Sequence, residues 1–145
     1  MSAAVDWSTA FINALMSKDS RLMSKALGNI LMERPSLSEG ELVDRIVMTT
    51  SVLRKYRCET HIRMKGGFAD IKLFKPFQNA PPILISVVMV PHADHLSKAA
   101  SQQVEKLNCL ACRDDDSRGA RIVGIAVCGT KVEAHIYAAG TAGSQ

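Results

Sequence analysis

At 145 residues, 47% apolar and 22% charged, the chain is long enough for one hydrophobic core, too short for two, and too apolar to be disordered. A formal net charge of +4 leans mildly toward anionic partners. The longest apolar run, Pro81 to Pro91, is far shorter than the ~20 residues a membrane-spanning helix needs, so no membrane partner is expected.

Residues 1–35 read as a helical extension. Asp6 is a candidate N-cap, and Trp7, Phe11 and Leu15 recur every four residues on one helix face. Leu22, Ala26 and Ile30 continue that spacing beyond the polar patch Ser17-Lys18-Asp19-Ser20, a candidate turn. Pro35 closes the segment, because a proline inside a helix removes a hydrogen bond and clashes with the preceding turn. The apolar stripe must be buried, either on the domain's own core or on a protein partner.

Ser36-Leu37-Ser38-Glu39 carries a capping-box signature, and Leu42, Val43, Ile46, Val47 and Leu53 then share a stripe, predicting a helix over about 37–54. Strands are predicted over 57–64, 68–74 and 83–90, the first two joined by the turn Lys65-Gly66-Gly67. The third is apolar on both faces, as a strand between two layers must be, and Ser86 is its one polar residue. Pro91 ends it. A helix over about 93–112 carries Leu96, Ala99, Ala100, Gln103 and Leu107 on one side. Strands over 121–127 and 132–138 flank the hairpin signal Cys128-Gly129-Thr130-Lys131, and 139–145 reads as a flexible tail. This order predicts a mixed α/β fold with one central sheet, its core spanning 36–138.

Several familiar chemistries lack their residues. Cys109-Leu110-Ala111-Cys112 is a single CxxC with Cys58 and Cys128 solitary, and His92 and His95 sit a helix length of roughly 22 Å away, so no zinc set forms. Ser86 lacks a Gly-x-Ser-x-Gly elbow, no phosphate-binding glycine loop is present, and Asp114-Asp115-Asp116 has none of the spacing of a calcium loop. Four cysteines do not make a disulfide scaffold, and the N-terminus has no basic start before an apolar stretch; both predict an intracellular protein.

The element order helix, three strands, helix, two strands, with Ala69-Asp70 opening the second strand and Gln102-Gln103 on the following helix, resembles the PD-(D/E)xK, or restriction-endonuclease-like, superfamily over roughly 36–138. The resemblance implies a restriction-endonuclease-like core in which Asp70 is the first metal-binding carboxylate and Gln102 or Gln103 braces the site. Glu39 or Glu41 matches the acidic residue that members often carry on the first core helix. The second carboxylate falls on Ser86 and the lysine on Val88, and one carboxylate alone holds a divalent cation poorly. The chain therefore looks like a degenerate, catalytically inactive member acting as a nucleic-acid or protein interaction module, with no cofactor. A rearranged active site would consist of Asp70 and Glu41 as magnesium or manganese ligands, Lys72 as the water-orienting group and Gln103 as the brace. A third expectation is a partner-binding protein that uses the fold only as scaffold. The basic residues Arg54, Lys55, Arg57, Lys65 and Lys75, with Arg63 and Lys72 nearby, form the expected phosphate-binding face.

Overall fold

The computed structural model describes residues 3–33, 37–51, 53–64, 66–76, 80–113, 117 and 119–138, with the backbone alone for 3–8 and 138. Helices α1 (Ala3–Ser17), α2 (Ser20–Glu33) and α3 (Glu39–Thr50) precede strands β1 (Arg57–Met64), β2 (Gly67–Phe74) and β3 (Ile83–Met89). A 3-10 turn (Ala93–His95) leads into α4 (Leu96–Cys112), followed by β4 (Arg121–Cys128) and β5 (Lys131–Ala138). The strands lie side by side in chain order, antiparallel throughout except for β3 and β4, which run parallel because α4 carries the chain back across the sheet. The fold is thus mixed α/β, with α1–α3 against one face of the sheet and α4 against the other.

The helical extension is part of the core. Phe11, Leu15, Met23, Leu27 and Ile30 are fully buried and pack with Ile71, Ile85, Val123 and Ile125 of the sheet. Of the two burial sites the sequence left open for this stripe, the domain's own core is the one that takes Phe11 and Leu15; the Trp7 side chain lies outside those described. Asp6 stands inside α1, whose first helical residue is Ala3, so it is not the N-cap expected from the sequence. The predicted turn between α1 and α2 is two residues long. Lys18 adopts a left-handed backbone (φ 58°), and the Asp19 amide donates to the Ala14 carbonyl at 3.0 Å, closing α1 with a Schellman bond. Asp19 then caps α2, its Oδ1 accepting from the Leu22 amide at 3.0 Å. Arg121 of β4 ties the pair to the sheet by donating to the Leu15 and Met16 carbonyls at the α1 C-terminus, where a cation is favoured.

The capping box of α3 is Ser38 with Glu41, not Ser36 with Glu39. Ser38 Oγ accepts from the Glu41 amide at 3.2 Å, and Glu41 Oε1 accepts from the Ser38 amide at 2.9 Å. Pro35, Ser36 and the tail 139–145 lie outside the described residues.

The two sheet edges are treated differently. On β5 the outward amides of Ala134 and Ile136 donate to Ser24 Oγ and Ser20 Oγ of α2, each at 2.9 Å. Serines four apart on a helix sit one turn apart, close to the spacing of alternate amides on a strand, so α2 seals that edge. Among the described residues the β1 edge is left open. Its residues 57–61 are all exposed, and Arg57, Glu59 and Arg63 charge it, as suits a strand that must not pair with another chain. On the other face α4 approaches β4 at Gly124, where a Cβ would come within 2.5 Å of the Ala100 carbonyl oxygen and 3.0 Å of Gln103 Cβ.

Two substitutions test this packing. Ser24→Ala should orphan the Ala134 amide and lower stability by about 1–3 kcal/mol. Gly124→Ala should cost about 1–3 kcal/mol through overpacking of α4 on β4. Urea unfolding should show both as a lower midpoint with an unchanged slope.

Candidate functional site

The β1–β2 hairpin does not keep one face throughout. Near its base Ile71 and Leu73 pack toward α1–α3, and Cys58, opposite Leu73, bonds with Thr50 of α3. Burial pushes the Cys58 thiol up, the Thr50 hydrogen bond pulls it down, and the Glu59 charge adds to the rise. Near the tip, Ala69 and Met64 pack instead with Leu107 and Leu110 of α4, and a Cβ on Gly67 would stand 3.1 Å from Leu110. Strict alternation would hold Ala69 and Ile71 on the same side. The alternation breaks between them, at Asp70, and across the ladder at His61, whose backbone is left-handed (φ 52°) and which is skipped in the pairing between Thr60↔Ile71 and Ile62↔Ala69.

Asp70 occupies the gap this break opens. Strands β2 and β3 pair only at Ile71↔Ile85, Lys72↔Leu84 and Leu73↔Ile83. One residue beyond, the Asp70 carboxylate takes the place of a backbone acceptor: Oδ2 accepts from the Val87 amide at 2.7 Å. The same register, extended by a step, sets Asp70 opposite Ser86. Ser86 is buried between sheet and α4, with Gly124 beside it on β4. Asp70 and the β3 strand are therefore neighbours, and the position facing Asp70 carries the Ser86 hydroxyl.

The other residues of the expected rearranged site are engaged elsewhere. Glu41 is bound into the α3 capping box through Oε1. Lys72 Nζ lies over the Phe74 ring, 5.7 Å from its centroid, and no ion pair joins it to Asp70 among the described residues. Gln103 stands above Gly124 on β4 rather than above β2. Among the described residues no three His, Cys, Asp or Glu side chains converge as a metal cluster would require. Among the described residues no helix is long and apolar enough to cross a membrane.

Of the basic set, Arg54, Lys55, Arg57 and Lys75 gather at the hairpin base, where β1 begins and β2 ends; Lys65 lies outside the described residues. Aromatic rings are interleaved with the cations. Lys75 Nζ is 5.0 Å from the Tyr56 ring centroid, and Arg57 pairs across the ladder with Phe74, the ring beneath Lys72. A further pair, Arg63 over Phe68 at 5.7 Å, decorates the hairpin nearer its tip, where Phe68 is 54% exposed. Sequence reasoning found the charges but not these rings.

It also missed a polar chain on the far margin of the sheet. Ser101 Oγ of α4 lies 3.1 Å from His135 Nδ1 on β5, and His135 Nε2 lies 3.1 Å from Glu133 Oε2. Glu133-Ala134-His135 would have flagged two polar side chains on one strand face, but nothing in the sequence joins them to Ser101. No protein-family model matches the chain, and no curated protein matches it.

Asp70→Ala should orphan the Val87 amide and destabilise the domain by about 1–3 kcal/mol, while Asp70→Asn, which keeps an oxygen acceptor, should recover most of that loss. Thermal unfolding of the two variants in metal-free buffer checks this. Equal destabilisation by both would mean that the charge, rather than the acceptor, matters.

Proposed function

We propose that this chain is a nuclease-like α/β domain that has lost its catalytic site and binds nucleic acid, without reading its sequence, through the base of the β1–β2 hairpin. One observation carries the first half: the Asp70 carboxylate is committed to the Val87 amide, beside Ser86 and Val88 where the resemblance would put a carboxylate and a lysine. Asp70 Oδ1 is left over for a cation, but Asp70 stands as a single carboxylate: Glu41 is tied through Oε1 into the α3 cap, and among the described residues no three His, Cys, Asp or Glu side chains converge. A divalent cation needs more oxygen ligands than that.

The second half rests on the hairpin base. Arg54, Lys55 and Arg57 are exposed, Lys75 is held against Tyr56, and Lys72 against Phe74. Cations attract the phosphate backbone, and neighbouring rings offer stacking platforms to unpaired bases, a combination suited to single strands. On β1, the strand at the sheet edge, residues 57–61 are all exposed.

Plasmid, single-stranded DNA and RNA should all remain uncut in magnesium or manganese; cutting that disappears in Asp70→Asn would contradict the proposal. Binding to single strands should be weak at physiological salt and strengthen as salt falls, each neutralised phosphate releasing about 0.7 of a counterion. The Arg57→Glu/Lys75→Glu double variant should weaken binding to every sequence alike and flatten the salt slope by about two such contacts. Unchanged affinity would assign the positive charge to solubility alone.

A further inference from the structure

The Ser101–His135–Glu133 chain borders a cleft of about 350 Å3 between α4 and β5, at the low end of the volumes small-molecule sites occupy. Four of its lining residues, Ser101, Val104, Glu105 and Asn108, fall at one-turn spacing on a single face of α4, and His135 and Tyr137 close it from β5. The cleft lies on the α4 face of the sheet at β5, away from the hairpin base, so its function is separable from nucleic-acid binding.

A serine, an imidazole and a carboxylate in series invite a hydrolase assignment, and the geometry of the helix argues against it. Ser101 is in the interior of α4, where backbone amides are consumed by the helix ladder, so no paired amides remain to stabilise an oxyanion. The chain instead fixes what the cleft presents. With Nε2–H donating to Glu133, Nδ1 is left to accept from the Ser101 hydroxyl, whose lone pairs then face outward as acceptors. Asn108 Oδ1 is buried and has no hydrogen-bond partner, an acceptor waiting for a donor. Glu105 places a carboxylate at the exposed rim, while Val104 and the Tyr137 ring supply apolar walls.

We propose that this cleft binds a small organic cation: a primary ammonium or amidinium carried on one ring or a short apolar chain. Its N–H groups donate to Asn108 Oδ1 and Ser101 Oγ, its charge faces Glu105, and its apolar body lies between Val104 and Tyr137. A cation satisfies the orphaned acceptor and the rim carboxylate together, whereas an anion of the same size would be repelled by the Glu105 carboxylate and leave Asn108 Oδ1 unpaired.

The test uses the full chain titrated with phenethylamine and with benzamidine, followed by amide chemical shifts, with benzyl alcohol and benzoate as neutral and anionic controls. Saturable shifts confined to α4 and β5 are expected for the two cations. Glu105→Gln, a change at an exposed position, should weaken them about tenfold, the scale of one lost charge-assisted contact. Asn108→Leu should do the same, with folding confirmed by its melt, and Arg57→Glu should leave amine binding unchanged. Absence of shifts with either cation, equal binding of benzyl alcohol, or full affinity in Glu105→Gln would overturn the proposal. Covalent labelling of Ser101 by a fluorophosphonate would overturn it in favour of a nucleophilic serine.

Discussion

The bond from the Val87 amide to the Asp70 carboxylate is the join on which the sheet's outer half depends. Strands β2 and β3 pair for three residues and then part. Without an acceptor at the point of parting, a buried amide on the central strand would be left unpaired, at a cost comparable to a whole hydrogen bond's net contribution or more. The carboxylate supplies that acceptor at 2.7 Å, the short distance expected when the acceptor is charged. Its presence lets β2 turn its next residues toward α4, so Ala69 and Met64 complete a second core with Leu107, Leu110 and Ile122. His61 makes the matching turn on β1 by accepting a left-handed backbone, a conformation that costs an ordinary residue of order 1 kcal/mol and persists only where its surroundings enforce it. The break in the hairpin and the engagement of Asp70 Oδ2 meet at one interaction.

The remainder of the fold arranges which surfaces a ligand can reach. Helix α2 seals the β5 edge with two serines, and α1 is anchored by Arg121, so that margin is closed to strand addition. On the opposite margin β1 stays open among the described residues but charged, and two cations of the hairpin, Lys72 and Lys75, lie over the Phe74 and Tyr56 rings. A cation stacked on a ring keeps its charge available to phosphate, whereas one locked to a carboxylate does not. The exposed Glu133–His135 pair contributes little to stability by itself, at 40% and 29% exposure, and its effect is instead to orient the ring toward Ser101.

Much of the architecture was legible in the residues because it rests on local rules. The period-two pattern and the Gly66-Gly67 turn marked β1 and β2, and the doubly apolar run marked β3 as a central strand between layers. The α3 cap was misplaced by two residues because Ser36…Glu39 and Ser38…Glu41 both satisfy the same spacing, and only the helix start distinguishes them. Asp70 was read as the first metal-binding carboxylate that the resemblance implies, and its bond to Val87 was not readable, since Val87 is 17 residues away and the target is a backbone amide. The same holds for Ser20, read as part of a turn, and for Ser24, which no sequence signal marked; both cap a strand edge more than a hundred residues later. Long-range partners of short polar side chains leave no periodic trace.

The central claim is that the Asp70 carboxylate is occupied by the protein's own backbone. Amide hydrogen exchange at Val87, followed with and without manganese, tests it most directly. The account predicts protection equal to that of the neighbouring β3 amides, unaltered by the metal and lost selectively in Asp70→Ala. Exchange at the rate of an unprotected amide in the native chain, or manganese broadening concentrated at Asp70 and Val87, would contradict it.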